Sequence, residues 1–183
     1  MPKFGSRPGA YGPKFLQHGS TRWFILAFMV ILFDQTTKLL IEAAFDFGHV
    51  MPVFPGFNLV LTYNPGAAFS FLADAGGWQR HFFTVLALVV SAVIIVVLRK
   101  HWAQRRFALA LALVLGGAIG NVIDRIAYGH VIDFLDVYWG NAHWPAFNIA
   151  DAAICVGAVL IALDGFLAPK PGSDATQSKE TTS

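Results

Sequence analysis

Four apolar runs, each long enough to cross a lipid bilayer, constrain this sequence more than any other feature. They cover about residues 23–45, 81–98, 107–126 and 150–167. An α-helix rises about 1.5 Å per residue, so roughly 20 residues span the hydrocarbon core. Only 13% of the residues are charged, whereas soluble domains carry about 25%. The sequence therefore predicts an all-α membrane protein of four transmembrane helices.

The rest of the chain forms short segments around one membrane domain, predicted over residues 22–168. Residues 1–21 are rich in Gly, Pro and Ser and are predicted to be a disordered cytoplasmic leader, and residues 169–183 a disordered cytoplasmic tail. The segments 46–80 and 127–147 contain aromatic and β-branched residues between turn formers. We expect them to form a small β-rich extracytoplasmic element, which includes a strand near residues 57–63.

The charge distribution indicates how the chain is oriented in the membrane. Arg22 precedes the first run, and the segment 99–106 between the second and third runs is strongly basic. By the positive-inside rule, both termini are then cytoplasmic. The formal net charge of +2 is too small to indicate a nucleic acid partner. The lone Cys155 excludes an internal disulfide and is interpreted as a packing residue.

Ionisable residues interrupt the first apolar run. An ionised group inside a span costs at least ~2.5 kcal/mol on insertion scales, so its presence needs a reason. Asp34 lies about 18 Å along the helix from Arg22, beyond the membrane midplane. Lys38 follows one turn later on the same helical face.

Polar residues recur at the outer ends of two other helices. Asn121, Asp124 and Arg125 end the third run at spacings i, i+3 and i+4, and Asn148 and Asp151 open the fourth at i, i+3. Three helices therefore bring polar groups to one depth in the membrane. Each group also has a plain structural interpretation: an interfacial ion pair for Asp124 with Arg125, and a helix cap for Asp151.

The shared depth favours chemistry over those structural roles. Two carboxylates in a low-dielectric site do not both ionise easily, so one keeps its proton while the other stays charged. Such a pair activates a water molecule against a peptide carbonyl and protonates the leaving amine, without a metal or a cofactor. We predict that Asp124 and Asp151 are this pair. Which of the two holds the proton is a property of the coupled pair and stays open.

Other chemistries have weaker support in the sequence. The outer residues His130, Asp133, Asp136 and His143 fit no metal-binding motif. Ser70 and Ser91 have no His or Lys at a spacing that marks a serine nucleophile. No metal or cofactor is therefore predicted.

Two non-enzymatic interpretations remain open. A proton-coupled transporter would place carboxylates at several depths, yet Asp164 is the only acid near the inner end of any apolar run. A catalytically silent scaffold would tolerate Asp→Asn changes. The pair Gly116 and Gly120 has the GxxxG spacing and is interpreted as a close helix contact.

Five motifs in order give the chain a resemblance to a known family, the lipoprotein signal peptidases or signal peptidases II. They are DQTTK at 34–38, NPGAAF at 64–69, GGAIGNVIDR at 116–125, GHVIDF at 129–134 and FNIAD at 147–151. The resemblance covers roughly residues 22–167. It implies a membrane-embedded aspartic endopeptidase of the bacterial cytoplasmic (inner) membrane, with its active site near the outer face.

The resemblance also implies the substrate and the supporting residues. The substrate would be a prolipoprotein, cut just before a diacylglyceryl-modified cysteine, and globomycin-type lipopeptides would inhibit the enzyme. Asp124 and Asp151 would form the catalytic dyad. Membrane lipids would be further partners. The residues implied to support the dyad or contact substrate are Asp34, Lys38, Asn64, Asn121, Arg125 and Asn148.

Overall fold

The computed structural model describes residues 19–66 and 78–167, which contain four long helices. Their bounds are α1 Thr21–Ala44, α2 Trp78–His101, α3 Arg105–Ala127 and α4 Ile149–Leu167. By length and composition, all four can cross a membrane. The prediction of four transmembrane helices is therefore confirmed. Residues 1–18 and 168–183, which include most of the predicted leader and tail, lie outside the described part of the chain.

The helix ends differ from the predicted ones most clearly in α2. It begins at Trp78 and ends at His101, three residues beyond the apolar run 81–98 on each side. Hydropathy marks only the apolar stretch, whereas the helical hydrogen bonds continue into polar sequence. Arg99, Lys100 and His101 occupy the last turn, where positive charge interacts favourably with the helix dipole.

A four-stranded antiparallel sheet lies at the end of the bundle where α1 and α3 finish and α4 begins. Its strands are β1 Val50–Phe54, β2 Phe57–Asn64, β3 Val131–Trp139 and β4 Ala142–His143, in that spatial order. Gly56 has φ +93° in the turn between β1 and β2, a conformation that glycine adopts without strain. The predicted small β-rich element is confirmed.

Helix α3 occupies the centre of the bundle because its small residues let its neighbours approach closely. Of its apolar window, 67% is buried, against 17% for α1 and for α2. A Cβ atom at Gly116 would lie 2.7 Å from the Ala27 carbonyl of α1, and one at Gly117 would overlap the Ala150 carbonyl of α4. The glycines thus determine how closely α1 and α4 can approach α3.

Strand β3 connects the sheet to the start of α4. Leu135 donates its N–H to the Phe147 carbonyl at 2.8 Å and accepts the Phe147 N–H at 3.0 Å. On its other side, β3 pairs with β2, where Thr62 is opposite Asp133. Residues that follow Phe147 are therefore held beside the middle of β3.

Candidate active site

Three helices and one strand bring polar side chains together at the sheet end of the bundle. Ion pairs and hydrogen bonds link these side chains into one buried network. Its members from the predicted site are Asp34, Lys38, Asn121, Asp124, Asn148 and Asp151. The predicted convergence of the three helices is therefore observed.

Lys38 is the central cation of the network and is only 1% exposed. Its Nζ lies 2.8 Å from Asp34 Oδ2 and 2.7 Å from Asp124 Oδ2, and it donates to Asn121 Oδ1 at 3.0 Å. All three ammonium hydrogens thus have acceptors. A buried lysine is tolerated here because two carboxylates compensate its charge.

Asp34 links α1 to the first turn of α4. Its Oδ1 accepts the backbone N–H of Ala150 at 2.8 Å. The first N–H groups of a helix have no partners within that helix and carry a partial positive charge. Gly120 provides the space, since a Cβ there would lie 2.8 Å from Asp34 Oδ2. The Asp34 carboxylate therefore fixes where α4 begins.

Asp124 is 1% exposed, and donors surround its carboxylate. Its Oδ1 accepts from Gln35 Nε2 at 2.7 Å, and its Oδ2 accepts the Ile132 N–H at 3.3 Å and contacts Lys38. Three donors therefore hold this carboxylate in place. Gln35 was not among the predicted site residues, although it lies in the DQTTK motif.

Asp151 is held at the start of α4 by a reciprocal cap. Its backbone N–H donates to Asn148 Oδ1 at 2.9 Å, while its Oδ2 accepts the Asn148 N–H at 3.3 Å, an arrangement like the capping box. Asn121 Nδ2 donates to Asp151 Oδ1 at 2.7 Å. The side chain is half-buried and borders a cavity of about 270 Å³. Asp151 is thus both a helix cap and a carboxylate open to a ligand.

Asp133 of β3 also joins the network, although the sequence analysis weighed it only as a metal ligand. It is 2% exposed, and its Oδ1 accepts from Asn148 Nδ2 at 2.7 Å. Burial, and secondly the charge of Asp151, raise the pKa of Asp133 to about 7, against hydrogen bonds from Asn64 and Asn148. Its position in the GHVIDF motif was the available signal.

The remaining predicted residues lie at the edge of the network. Asn64 ends β2, hydrogen-bonds the Asp133 side chain, and accepts the Gly66 N–H at 3.0 Å. Arg125 donates to the Asn121 carbonyl at 3.3 Å, and its guanidinium carbon lies 5.8 Å from the centre of the Phe83 ring. Arg125 Nε is buried without a hydrogen-bond partner within the described residues, so this side chain has donor capacity left for a ligand.

The outer residues considered above as possible metal ligands make other contacts. His143 Nδ1 lies 2.9 Å from Asp136 Oδ1, and the His130 ring packs 4.2 Å from the Tyr63 ring, centre to centre. Within residues 19–66 and 78–167, no group of three or more His, Cys, Asp or Glu side chains could hold a metal ion.

Comparison with known families identifies the group to which this arrangement belongs. The family model described as signal peptidase (SPase) II matches residues 26–167, which is more than half of the chain and includes the whole network. The chain belongs to the signal peptidase II family. This confirms the resemblance seen in the five motifs and the prediction of a membrane peptidase.

Individual signal peptidase II relatives match over most of their length. The lipoprotein signal peptidase of Cupriavidus taiwanensis is 60% identical over 142 residues, which cover 78% of this chain and 81% of that protein. That of Cupriavidus necator is 55% identical over 159 residues, 87% of this chain and 91% of that protein.

A solved structure supports the same family at the level of the fold. This bacterial membrane enzyme structure, determined by the in meso method, is similar with a TM-score of 0.72 and 28% identity. The match covers 89% of this chain and 94% of that chain. Together with the four apolar helices, the family membership indicates a multi-pass inner membrane protein.

Proposed function

We propose that this signal peptidase II removes signal peptides from prolipoproteins with Asp133 and Asp151 as its two catalytic carboxylates. The observation that carries the proposal is that one residue, Asn148, hydrogen-bonds both side chains, since its backbone N–H donates to Asp151 and its side-chain amide to Asp133. Burial, and secondly the charge of Asp151, raise the pKa of Asp133. Coupled carboxylates with separated proton affinities are what general acid–base hydrolysis of a peptide requires.

The roles of the two carboxylates follow from their surroundings. Asp133 is almost fully buried and has a pKa of about 7, so it holds a proton for much of the time at neutral pH. Asp151 accepts two hydrogen bonds at the start of α4 and borders the cavity of about 270 Å³. Asp151 is therefore the base that receives a proton from the attacking water, and Asp133 the acid that protonates the substrate carbonyl oxygen.

The second half of the reaction returns both protons. When the tetrahedral intermediate collapses, Asp133 takes back the hydroxyl proton as the carbonyl reforms. Asp151 gives the proton that it received from water to the leaving amine. The pair ends in its starting state, and no covalent enzyme intermediate forms.

The environment of Asp124 supports a positioning role. Its carboxylate is paired with Lys38 and accepts hydrogen bonds from Gln35 and Ile132, so its contacts are already made within the protein. The same lysine donates to Asn121, which orients Asp151. The sequence-based assignment of Asp124 as the partner of Asp151 is the alternative to test.

The substrate enters from the membrane in this proposal. The 270 Å³ cavity beside Asp151 lies between α2, α3 and α4, and most of its lining is apolar, with Phe83 and Ile154 among the lining residues. An acyl chain or an apolar signal peptide segment suits such a wall, which supports a lipid-modified precursor cut just before its diacylglyceryl cysteine. Globomycin-type lipopeptides would compete for the same cavity.

Arg125 is proposed to bind the substrate near the cleaved bond. It lines this cavity with Asp151 and has a buried Nε without a partner among the described residues. A guanidinium suits two carbonyl or ester oxygens better than an ammonium does. An Arg125→Lys variant should therefore raise KM more than it lowers kcat. An unchanged KM would remove this role.

The orientation in the membrane is also part of the proposal. Arg99, Lys100, Arg105 and Arg106 lie at the bundle end opposite the sheet, and the positive-inside rule assigns that end to the cytoplasm. Both chain ends would then be cytoplasmic and the carboxylates would lie near the outer face. Cysteine labelling from each side of intact cells tests this orientation.

Cleavage of a diacylglyceryl-modified prolipoprotein by the purified enzyme tests the dyad. Asp133→Asn and Asp151→Asn should each lower kcat by more than about 10³-fold at wild-type folded yield. Residues that act together in catalysis lose most of the rate when either one is removed. Asp124→Asn should lower kcat by only ~10²-fold through misplacement and should also lower thermal stability. If Asp133→Asn stays active while Asp124→Asn is inactive at full folded yield, Asp124 is the catalytic partner.

A further inference from the structure

A second cavity of about 480 Å³ lies against the sheet, outside the apolar cavity beside Asp151. Its walls come from β2, from the start of β1, and from the segment between β4 and α4. Unlike the first cavity, it combines apolar residues with Asp136, His143, His49 and Thr62. None of the reaction steps above uses these side chains.

The charge in this cavity comes from Asp136. The residue is 7% exposed, and Asn58 Nδ2 donates to its Oδ2 at 2.7 Å. His143 Nδ1 lies 2.9 Å from Oδ1, so this ring nitrogen is the donor, and the ring stacks on Tyr138 with centres 5.0 Å apart. Among residues 19–66 and 78–167, no lysine or arginine lines the cavity. A ligand here meets a fixed negative charge at a place where water is partly excluded.

Two residues of the cavity wall are neighbours of the residues that carry or hold the proposed catalytic carboxylates. Thr62 in its wall is the cross-strand partner of Asp133. Ala146 also lies in its wall, two residues before Asn148. Asn148 caps α4 and hydrogen-bonds Asp151. Asp136 follows Asp133 by three residues on β3, which is about 10 Å along the strand at about 3.3 Å per residue. About three or four residues of an extended polypeptide cover that distance.

We propose that this cavity binds the first residues of the mature lipoprotein, those after the modified cysteine, and selects against carboxylate side chains through Asp136. The inference rests on the proposed function. A mixed polar wall suits the mature segment, which continues into water, while the apolar cavity suits the signal peptide. A cationic or hydrogen-bond-donating side chain finds an acceptor at Asp136, whereas a glutamate meets repulsion.

Two lipid-modified substrates that differ only at the second residue after the cysteine, lysine in one and glutamate in the other, test the preference. The wild-type kcat/KM should favour lysine on the order of 5-fold. In Asp136→Asn the ratio should fall to about one. Asp164→Asn removes the same charge at the far end of α4 and should keep the wild-type ratio.

A second variant tests the cavity if Asp136→Asn does not fold. Ala146→Phe fills the cavity from a half-buried position. In the wild type, a substrate with four residues after the cysteine should have a higher kcat/KM than one truncated at the cysteine. In Ala146→Phe this difference should disappear. A wild-type enzyme that cleaves all these substrates equally well would overturn this inference and leave the peptidase proposal intact. A wild-type enzyme that cleaves none of them would instead refute the proposed function.

Discussion

The carboxylate of Asp34 accepts the backbone N–H of Ala150 at 2.8 Å, although the two residues are 116 positions apart in the sequence. An N-cap normally comes from the residue just before a helix. Here Asn148 caps α4 locally, and Asp34 adds a second acceptor from another helix. The start of α4, and with it Asp151, is therefore tied to α1.

Removal of this remote cap should impair catalysis through position. Asp34→Ala is expected to lower kcat on the order of 10²-fold, since a displacement of about 1 Å at reacting groups has that effect. Asp34→Asn keeps an acceptor oxygen for the Ala150 N–H, so its kcat should fall less than that of Asp34→Ala. Asp46→Ala removes an exposed carboxylate just after α1 and is the control. A wild-type kcat in Asp34→Ala would contradict the remote-cap role.

Loss of the buried cation should destabilise the fold. Lys38→Met leaves Asp34 and Asp124 buried without their shared counter-charge, which typically costs about 3–5 kcal/mol. Thermal unfolding in detergent measures the change. Lys100→Met removes an exposed lysine at the end of α2 and should stay within about 0.5 kcal/mol of the wild type. Equal unfolding temperatures for the two variants would rule out Lys38 as a stabilising centre.

Close packing of α3 against α4 should make Gly117 intolerant of any side chain. The Cβ of Gly117→Ala would overlap the Ala150 carbonyl, and overpacking of this kind costs about 1–3 kcal/mol. In Gly165→Ala the new Cβ meets nothing within 4 Å, so the helix should gain about 0.5–1 kcal/mol from propensity. Opposite shifts in unfolding temperature are expected. A neutral Gly117→Ala would show that α4 moves away easily.

The rate of cleavage should fall as the pH rises through about 7. The pKa of Asp133 is raised to about 7, so its carboxyl is protonated below that pH and loses its proton above it. Because Asp133 acts as the acid, kcat/KM should decrease about tenfold per pH unit on the alkaline side. The residual activity of Asp124→Asn should show the same decrease of kcat/KM above pH 7. A profile that stays flat up to pH 9 would exclude Asp133 as the acid.

The membrane architecture was accessible from the sequence because it depends on local properties. Apolar runs of about 20 residues define spans wherever their partners lie, and turn formers between β-branched residues marked β2. The bounds of α2 were less accessible, since its polar ends at Gln79 and Lys100 carry no apolar signal. The family motifs likewise contain the residues that form the buried polar network.

Only the tertiary structure gives a reason to propose Asp133, rather than Asp124, as the partner of Asp151. Along the sequence, Asp124 lies at the end of the third apolar run, and Asp133 follows it nine residues later. The register of β3 against β2 and against Phe147 puts Asp133 beside Asn148, and the glycines of α3 bring Asp124 onto Lys38. Residue types and spacings determined the spans and the candidate acids, but proton affinity depends on burial and neighbouring charge, which exist only once the chain has folded.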